Sequence, residues 1–593
     1  MKQFQSTTLP SPDSVQLRAG GRFFDRYQGN IRYLHHLHDH FGDFMRGAFA
    51  ERRYSPGKLL ERVWDGEYAG KWLDSATRTA ASTQDKQLRR KVDAFAKELR
   101  DNQQPDGFMG QPLPNDRELN DWEIGWNVWN QWTSMIGLLT HYEIRGEKAS
   151  LDTAARIGDW VVTSQSPIDH DTATFLTNGI GFTNVAVIGQ LTRLHRLTGN
   201  DRYLKFVGDV ITHFKPIRKM LTSGQPHLIH PYMLSAVLTG IVDYAVATED
   251  DEMLSTVVAI WRSLVTDHVF PTGSLGNHED LQEGPLEDLQ DDQLQETCAT
   301  TEWIFLTQRL YEVTGFPEFI SALERTTYNA LLGAQSSDGM KWCYWTPLRY
   351  SKHFFHGPTR CCFWSGPRGI ARLPQLIYAM QDNLVTVNLF ESSKATLHTA
   401  SGPMSVTQRS QFPEHGQSTI EINTPPGWQG GLRVRIPDWC KDFFIQANHF
   451  DQTNQGEVTT NGYRSFDLEG GQSYTFNVSF EIAFHQELLS RNDYAMLRGP
   501  EVLSVDLRDN IDTWLGSQNE VISIPDHVTL QSSQSSDHDS PWSGMQEATP
   551  RTRYRINLND KRMADLRPYF LTPYADAGND GAAFRTIFPR QQS

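Results

Sequence analysis

The chain has 593 residues, 38% hydrophobic and 21% charged, with a formal net charge of −16, so nothing electrostatic draws it to nucleic acid or an anionic membrane. A neutral or polar ligand fits that balance better. The length exceeds one ordinary domain, and two or three domains around large cores are expected.

The opening Met1–Ser14 has one lysine and no apolar run, and no stretch reaches the roughly 18 apolar residues of a spanning helix. A cytoplasmic protein without a membrane partner is therefore expected. Five cysteines, an odd number in so long a chain, argue against a disulfide framework and leave metal or nucleophile chemistry open. The 16 tryptophans serve either a Trp-rich core or flat platforms under sugar rings.

From about residue 30 to 380, apolar residues recur at three- and four-residue spacing, as in Ile157 to Val161 and Ile304 to Val313, which predicts many amphipathic helices. Ser82-Thr-Gln-Asp85, Arg145-Gly-Glu147, Thr198-Gly-Asn-Asp201, Thr248-Glu-Asp250 and Thr314-Gly-Phe316 punctuate them. The marks lie roughly 50 to 65 residues apart, one helical hairpin plus its return, and predict a toroid or solenoid of helix pairs. Trp122, Trp126, Trp129 and Trp132 share one helical face, either as core or with one or two rings free to stack on a sugar. The long irregular insertion between Gly273 and Gln295 favours a toroid with a functional loop.

That loop leads into Glu296-Thr-Cys298, and Arg360-Cys-Cys362 follows in the same helical half. Any single cysteine is more often a packing residue, but Glu296, Cys298, Cys361 and Cys362 together supply the four ligands that tetrahedral Zn²⁺ prefers. A metal-bound sulfur is deprotonated where a free thiol is not, so such a site holds a standing nucleophile. Cys343 and Cys440 sit in apolar contexts and read as inert packing residues.

Near residue 385 the pattern changes to period two, in Val385–Leu389, Thr419–Asn423, Leu432–Ile436 and Tyr474–Phe480, with Pro-Gly and Gly-Gly turns between. One or two antiparallel β-sandwiches are expected, with Gln531–Ser543 a polar loop. The predicted organisation is multidomain α + β. It comprises an N-terminal (α/α)6 barrel over residues 1–384, a β-sandwich over 385–485, and a second sandwich or β region over 486–593.

The chain resembles glycoside hydrolase family 127, the β-L-arabinofuranosidases, along nearly its whole length. The resemblance rests on Gly70-Lys-Trp-Leu73, Gln104-Pro-Asp-Gly-Phe-Met-Gly110, His230 ten residues before Gly240, Gly273-Ser-Leu-Gly276, Glu296-Thr-Cys-Ala299, Glu324-Arg-Thr-Thr-Tyr-Asn-Ala-Leu331, Cys361-Cys362 followed by Arg368, and Leu432-Arg-Val-Arg-Ile-Pro-Asp-Trp439. It implies a retaining mechanism in which Cys361 attacks the anomeric carbon while Glu296, Cys298 and Cys362 hold zinc with it. A carboxylic acid then protonates the leaving oxygen and later activates water.

In the family that acid follows the Gly-Ser-Leu-Gly element, where this chain offers both Glu279 and Glu283. Glu279 is preferred, because it keeps the short approach from Gly276 and has an apolar residue two positions on; the other carboxylates read as a solvated loop. His230 matches a pocket histidine of the family, whereas Trp126 and Asn184 stand where it usually shows other pocket residues. With Trp129 these form the expected substrate-binding set. The expected partner is a glycoside or oligosaccharide, with β-L-arabinofuranose as candidate sugar and a homodimer left open. Two other readings remain at this stage: a carbohydrate-binding protein with a closed structural zinc site, and an α/α-barrel lyase or epimerase.

Overall fold

The computed structural model describes residues 6–47, 66–110, 121–165, 183–281, 289, 291–450, 462–489, 493–506, 529–533, 553–557 and 569–589. Among these residues, six outer helices alternate in sequence with six inner ones. The outer set is Arg22–Gly47, Lys86–Asp101, Lys148–Ser164, Asp201–His213, Asp251–Asp267 and Pro317–Thr326; the inner set is Glu67–Thr83, Asp121–Arg145, Ile188–Thr198, Pro231–Ala247, Thr297–Thr314 and Cys362–Arg372. Each inner helix packs on the next, and Cys362–Arg372 closes the ring against Glu67–Thr83.

Composition sorts the two layers. Lys86–Asp101 buries only Leu88, Val92, Phe95, Ala96 and Leu99, one stripe facing the ring, whereas Pro231–Ala247 is buried on nearly every side. Where Glu67–Thr83 crosses Asp121–Arg145 the backbones touch. A Cβ at Gly70 would lie 1.9 Å from the Thr133 carbonyl oxygen, so any side chain there would force the helices apart.

The five punctuation marks are the five inner-to-outer returns. Gly199 and Gly315 end their helices in the left-handed conformation, while Asp85, Asn200 and Asp250 accept backbone N–H bonds at the start of the next ones. Connections in the other direction are longer, as from Asp267 to Thr297 and from Thr326 to Cys362. The ring thus has one end of tight turns and one end of long segments.

Behind the barrel lie a six-stranded and a four-stranded sheet whose inner faces share the main core. Ser473–Phe480 shows the reason, with Tyr474, Phe476, Val478 and Phe480 buried on one face and the alternate residues more exposed. The first sheet also takes in Val15–Leu17, paired with Ser393–Ala395. Among the described residues, pairing is antiparallel with one exception: Leu384–Val387 runs parallel to Gly431–Val434. A third, nine-stranded sheet holds the C-terminal strands together with Arg349–Tyr350. Gln531–Ser533, expected to begin a polar loop, instead belong to Thr529–Ser533, an edge strand of that sheet, where one flank needs no partner and polar residues are tolerated. The rest of that expected loop lies outside the described residues.

Buried polar contacts fasten these layers. Arg435 pairs with Glu324, whose other oxygen accepts from Trp439 Nε1 at 3.0 Å. Arg22 reaches Glu501 at 2.8 Å and Asp576 at 2.5 Å. Tyr328 Oη donates to Glu391 at 2.5 Å. Among the described residues, no helix is long and apolar enough to cross a membrane.

Candidate active site

The long-segment end of the ring gathers the N-termini of the inner helices. Glu296 is the N-cap of Thr297–Thr314 and Cys361 that of Cys362–Arg372, so two positive helix ends meet there. Thr297 N donates to the Tyr344 carbonyl at 2.9 Å, and Glu296 forms a β-bridge with Trp345, which pins the start of the first helix to the segment carrying Tyr344.

The ligand atoms of Glu296, Cys298, Cys361 and Cys362 all lie within 4.8 Å of one another. Cys362 Sγ is 3.2 Å and Cys361 Sγ 3.6 Å from Glu296 Oε1; Cys298 Sγ is 3.2 Å from Ser365 Oγ. All four sequence-predicted ligands are therefore together. None of the cysteines is in a disulfide, and Cys361 alone of these three is partly exposed.

The donor set fits a divalent cation. Three sulfurs and one carboxylate converge on one point, and Glu296 Oε2 is buried without a hydrogen-bond partner. Burial pushes Cys298, Cys362 and Glu296 well above their usual ranges, while hydrogen bonds from Cys298 and Cys362 pull Cys361 well below its own. The protein alone thus favours charge on the one sulfur that faces outward.

Tyr344 stands beside that sulfur. Its hydroxyl lies 3.8 Å from Cys361 Sγ and donates to Glu279 Oε1 at 2.5 Å. Laid end to end, these contacts keep Glu279 nearer to the sulfur than the roughly 6.5–9.5 Å that separates inverting carboxyl pairs. Glu279 reaches this place through a tight turn: Asn277 and Asp280 exchange two 2.9 Å backbone bonds, and His278 and Glu279 both have positive φ, at 48° and 65°. That is the geometry of a two-residue hairpin loop usually made by Asn-Gly, so local backbone strain accompanies the aim of the carboxyl group. Burial raises the pKa of Glu279 and the charge on Cys361 adds to this, against the Tyr344 hydrogen bond, which lowers it. Glu283 lies outside the described residues.

His230 caps Pro231–Ala247, its Nδ1 accepting from Tyr232 N at 3.4 Å. Burial lowers its pKa to about 4, so the ring is neutral with its proton on Nε2. That nitrogen faces Glu296 Oε2 at 3.6 Å and Glu279 Oε2 at 3.7 Å.

The other expected binding residues are more enclosed. Trp129 is 1% exposed and donates to Glu67 Oε2 at 2.7 Å; Trp126, 6% exposed, packs edge-on against it. Trp132 also packs on Trp129, and the Trp122 ring lies outside the described side chains. Asn184 is buried just ahead of the turn Val185–Val187. Cys343 is buried in a short strand, and Cys440 Sγ is 3.1 Å from the Asp442 carbonyl.

Sequence reasoning missed Tyr344, Glu67 and Lys71. Glu67 and Lys71 form a buried pair at 3.1 Å; burial holds the Glu67 pKa up to about 7 despite the ammonium, and the Cys361 charge contributes. The arrangement offers a soft-metal ligand set, a partly exposed sulfur and a protonatable carboxyl group joined to that sulfur through the Tyr344 hydroxyl.

The family model described as the β-L-arabinofuranosidase, GH127 catalytic domain matches residues 14–375, more than half of the chain. The chain belongs to glycoside hydrolase family 127. The family's middle-domain model matches residues 384–477 of this family 127 glycosidase, close to the sandwich. A non-reducing end β-L-arabinofuranosidase of Bifidobacterium longum subsp. longum is 22% identical over 557 residues, 79% of this chain and 80% of that protein. A solved family 127 β-arabinofuranosidase superposes with a TM-score of 0.79 at 19% identity, covering 100% of this chain and 99% of the other. A β-L-arabinofuranosidase of the same family from Geobacillus stearothermophilus T6 gives 0.76 at 17%, covering 97% of this chain and 100% of the other. These superpositions agree with a helical barrel followed by antiparallel sheets.

Proposed function

We propose that this family 127 enzyme is a retaining β-L-arabinofuranosidase that releases the non-reducing-end sugar, with Cys361 as nucleophile and Glu279 as acid/base. The observation that supports it most is the Tyr344 hydroxyl, which contacts Cys361 Sγ and Glu279 Oε1 at once and so keeps sulfur and carboxyl group within the short separation a retaining pair needs. Glu296, Cys298, Cys361 and Cys362 would hold zinc, and a bound zinc ion keeps the sulfurs deprotonated at neutral pH.

Cys361 attacks the anomeric carbon, forming a carbon–sulfur bond as the glycosidic carbon–oxygen bond breaks. Glu279, whose pKa burial raises, gives its proton to the leaving oxygen. The resulting carboxylate takes a proton from water, whose oxygen displaces the sulfur and restores the thiolate. His230 presents its Nε2 proton toward the site, in position to orient a sugar hydroxyl or a carboxylate.

The decisive measurement is turnover of a panel of aryl pentosides and hexosides by the wild type, Cys361→Ser and Glu279→Gln, together with metal content and intact mass. The aryl β-L-arabinofuranoside should be preferred, with one zinc per chain. Glu279→Gln should lose about 10²–10⁴-fold on glycosides with poor leaving groups while accumulating a glycosyl adduct on Cys361 from an activated aryl substrate. Unchanged hydrolysis by Glu279→Gln would overturn the assignment and favour a sugar-binding protein with structural metal.

A further inference from the structure

At the tight-turn end of the ring, opposite the cysteines, the inner helices line a cavity of about 640 Å³. Six arginines line it: Arg78, Arg193, Arg196, Arg309, Arg368 and Arg372. Five of them have carboxylates. Arg78 and Arg368 share Asp74 at 3.0 Å each, Arg368 also reaches Glu302 at 2.7 Å, Arg193 and Arg196 share Glu143, and Arg309 holds Asp243 at 2.6 Å and Glu312 at 3.0 Å.

Six cations thus meet five anions, and Arg372 is the one left over. Among the described residues it makes no ion pair; its guanidinium lies 3.8 Å from the centroid of the Phe305 ring, and its Nε is buried without a hydrogen-bond partner. Arg372 is half-buried, and burial followed by the neighbouring Arg78 holds its pKa down to about 9, although Asp74 and Glu302, already paired with Arg78 and Arg368, pull it up; it shares their field but has no carboxylate of its own. Helix C-termini carry partial negative charge, and Arg372 and Arg196 lie in the last turns of their helices, but each such end amounts to only about half an elementary charge and fades within that turn, which Arg78, Arg193 and Arg309 stand beyond.

We propose that this cavity is a binding site for a small oxyanion, a phosphate or carboxylate group that pairs with Arg372 and completes the arginine cluster. Guanidinium groups bind both planar carboxylates and phosphates through paired N–H donors, and the volume admits a ligand larger than the anion alone. The site is independent of the glycosidase reading, since none of its residues belongs to the cysteine cluster.

The test is calorimetric titration of the full chain with inorganic phosphate at ionic strength fixed with sodium chloride. Wild type should bind saturably, with phosphate raising the melting temperature beyond chloride alone. Arg372→Gln should weaken phosphate at least tenfold. Gln190→Glu, which adds a fifth carboxylate to the lining beside Glu143, Asp243, Glu302 and Glu312, at a side chain that already accepts from Arg193, should weaken it too and guards against a folding artefact of the first variant. Competition by glucuronate would assign a sugar acid as ligand, and its absence inorganic phosphate. Equal phosphate affinity in the wild type and both variants, or no binding beyond the chloride control, overturns the proposal.

Discussion

Tyr344 couples the two groups that the proposed mechanism uses in turn. Its hydrogen bond to Glu279 opposes the upward pull of burial on that carboxyl group, so removing it raises the Glu279 pKa further. Tyr344→Phe should therefore move the basic limb of the pH–rate profile to higher pH, because that limb reports loss of the acid's proton, and should lower kcat by up to about 10²-fold through misplacement of Glu279. A pH profile of kcat/KM for both proteins checks this; a limb that moves down refutes it. At this scale the sequence was legible where chemistry demands rare residues at fixed spacing. Three cysteines and a glutamate in Glu-x-Cys and Cys-Cys have few other uses, and they do converge. Tyr344 was not legible, because a tyrosine among aromatics reads as core. Nor was the Glu67–Lys71 pair, whose i,i+4 spacing on a helix ordinarily marks a solvated surface, although both side chains are buried here.

The helix boundaries were the most readable feature among the elements, since a left-handed glycine, an Asp or Asn cap, or both leave a local signature that tertiary packing does not erase. Asp85 is the strongest of these caps, accepting from both Gln87 N and Leu88 N and bonding His35 at 2.9 Å. Asp85→Ala should lower stability by about 1 kcal/mol, within the 0.5–2 kcal/mol range of cap deletions, with kcat unchanged because the turn lies at the end remote from the cysteines. Urea denaturation read by circular dichroism provides the number. The parallel pair between Leu384–Val387 and Gly431–Val434 left no such signature, because alternation fixes which face is buried and says nothing of strand direction.

Across the whole molecule, the barrel and the sheets behind it meet through buried ionisable groups, which makes their union sensitive to pH. Burial raises the Glu391 pKa to about 8, so this side chain is mostly protonated at neutral pH between Tyr328 and Phe23 N. A carboxyl group raised in the folded state favours folding fully below its unfolded pKa of about 4.3, and that contribution drains away as pH rises through 8. Melting temperatures measured from pH 5 to 9 should fall through that window in the wild type, and Glu391→Gln should flatten the decline. An equally steep fall in the variant would assign it to other groups. No period or composition announces such a junction, because Tyr328 and Phe23 lie 63 and 368 residues from Glu391 in the chain.

The short strand Val15–Leu17 waits for Ser393–Ala395, and the first inner helix waits for the last, Cys362–Arg372. On the ribosome, at roughly 5–20 residues per second, the leading segment emerges tens of seconds before either companion exists. A nascent chain must keep an open toroid, with the normally buried faces of inner helices such as Pro231–Ala247 uncovered, for that interval. Its vulnerability to aggregation, and any dependence on holding chaperones, is thus concentrated in synthesis rather than in the finished enzyme.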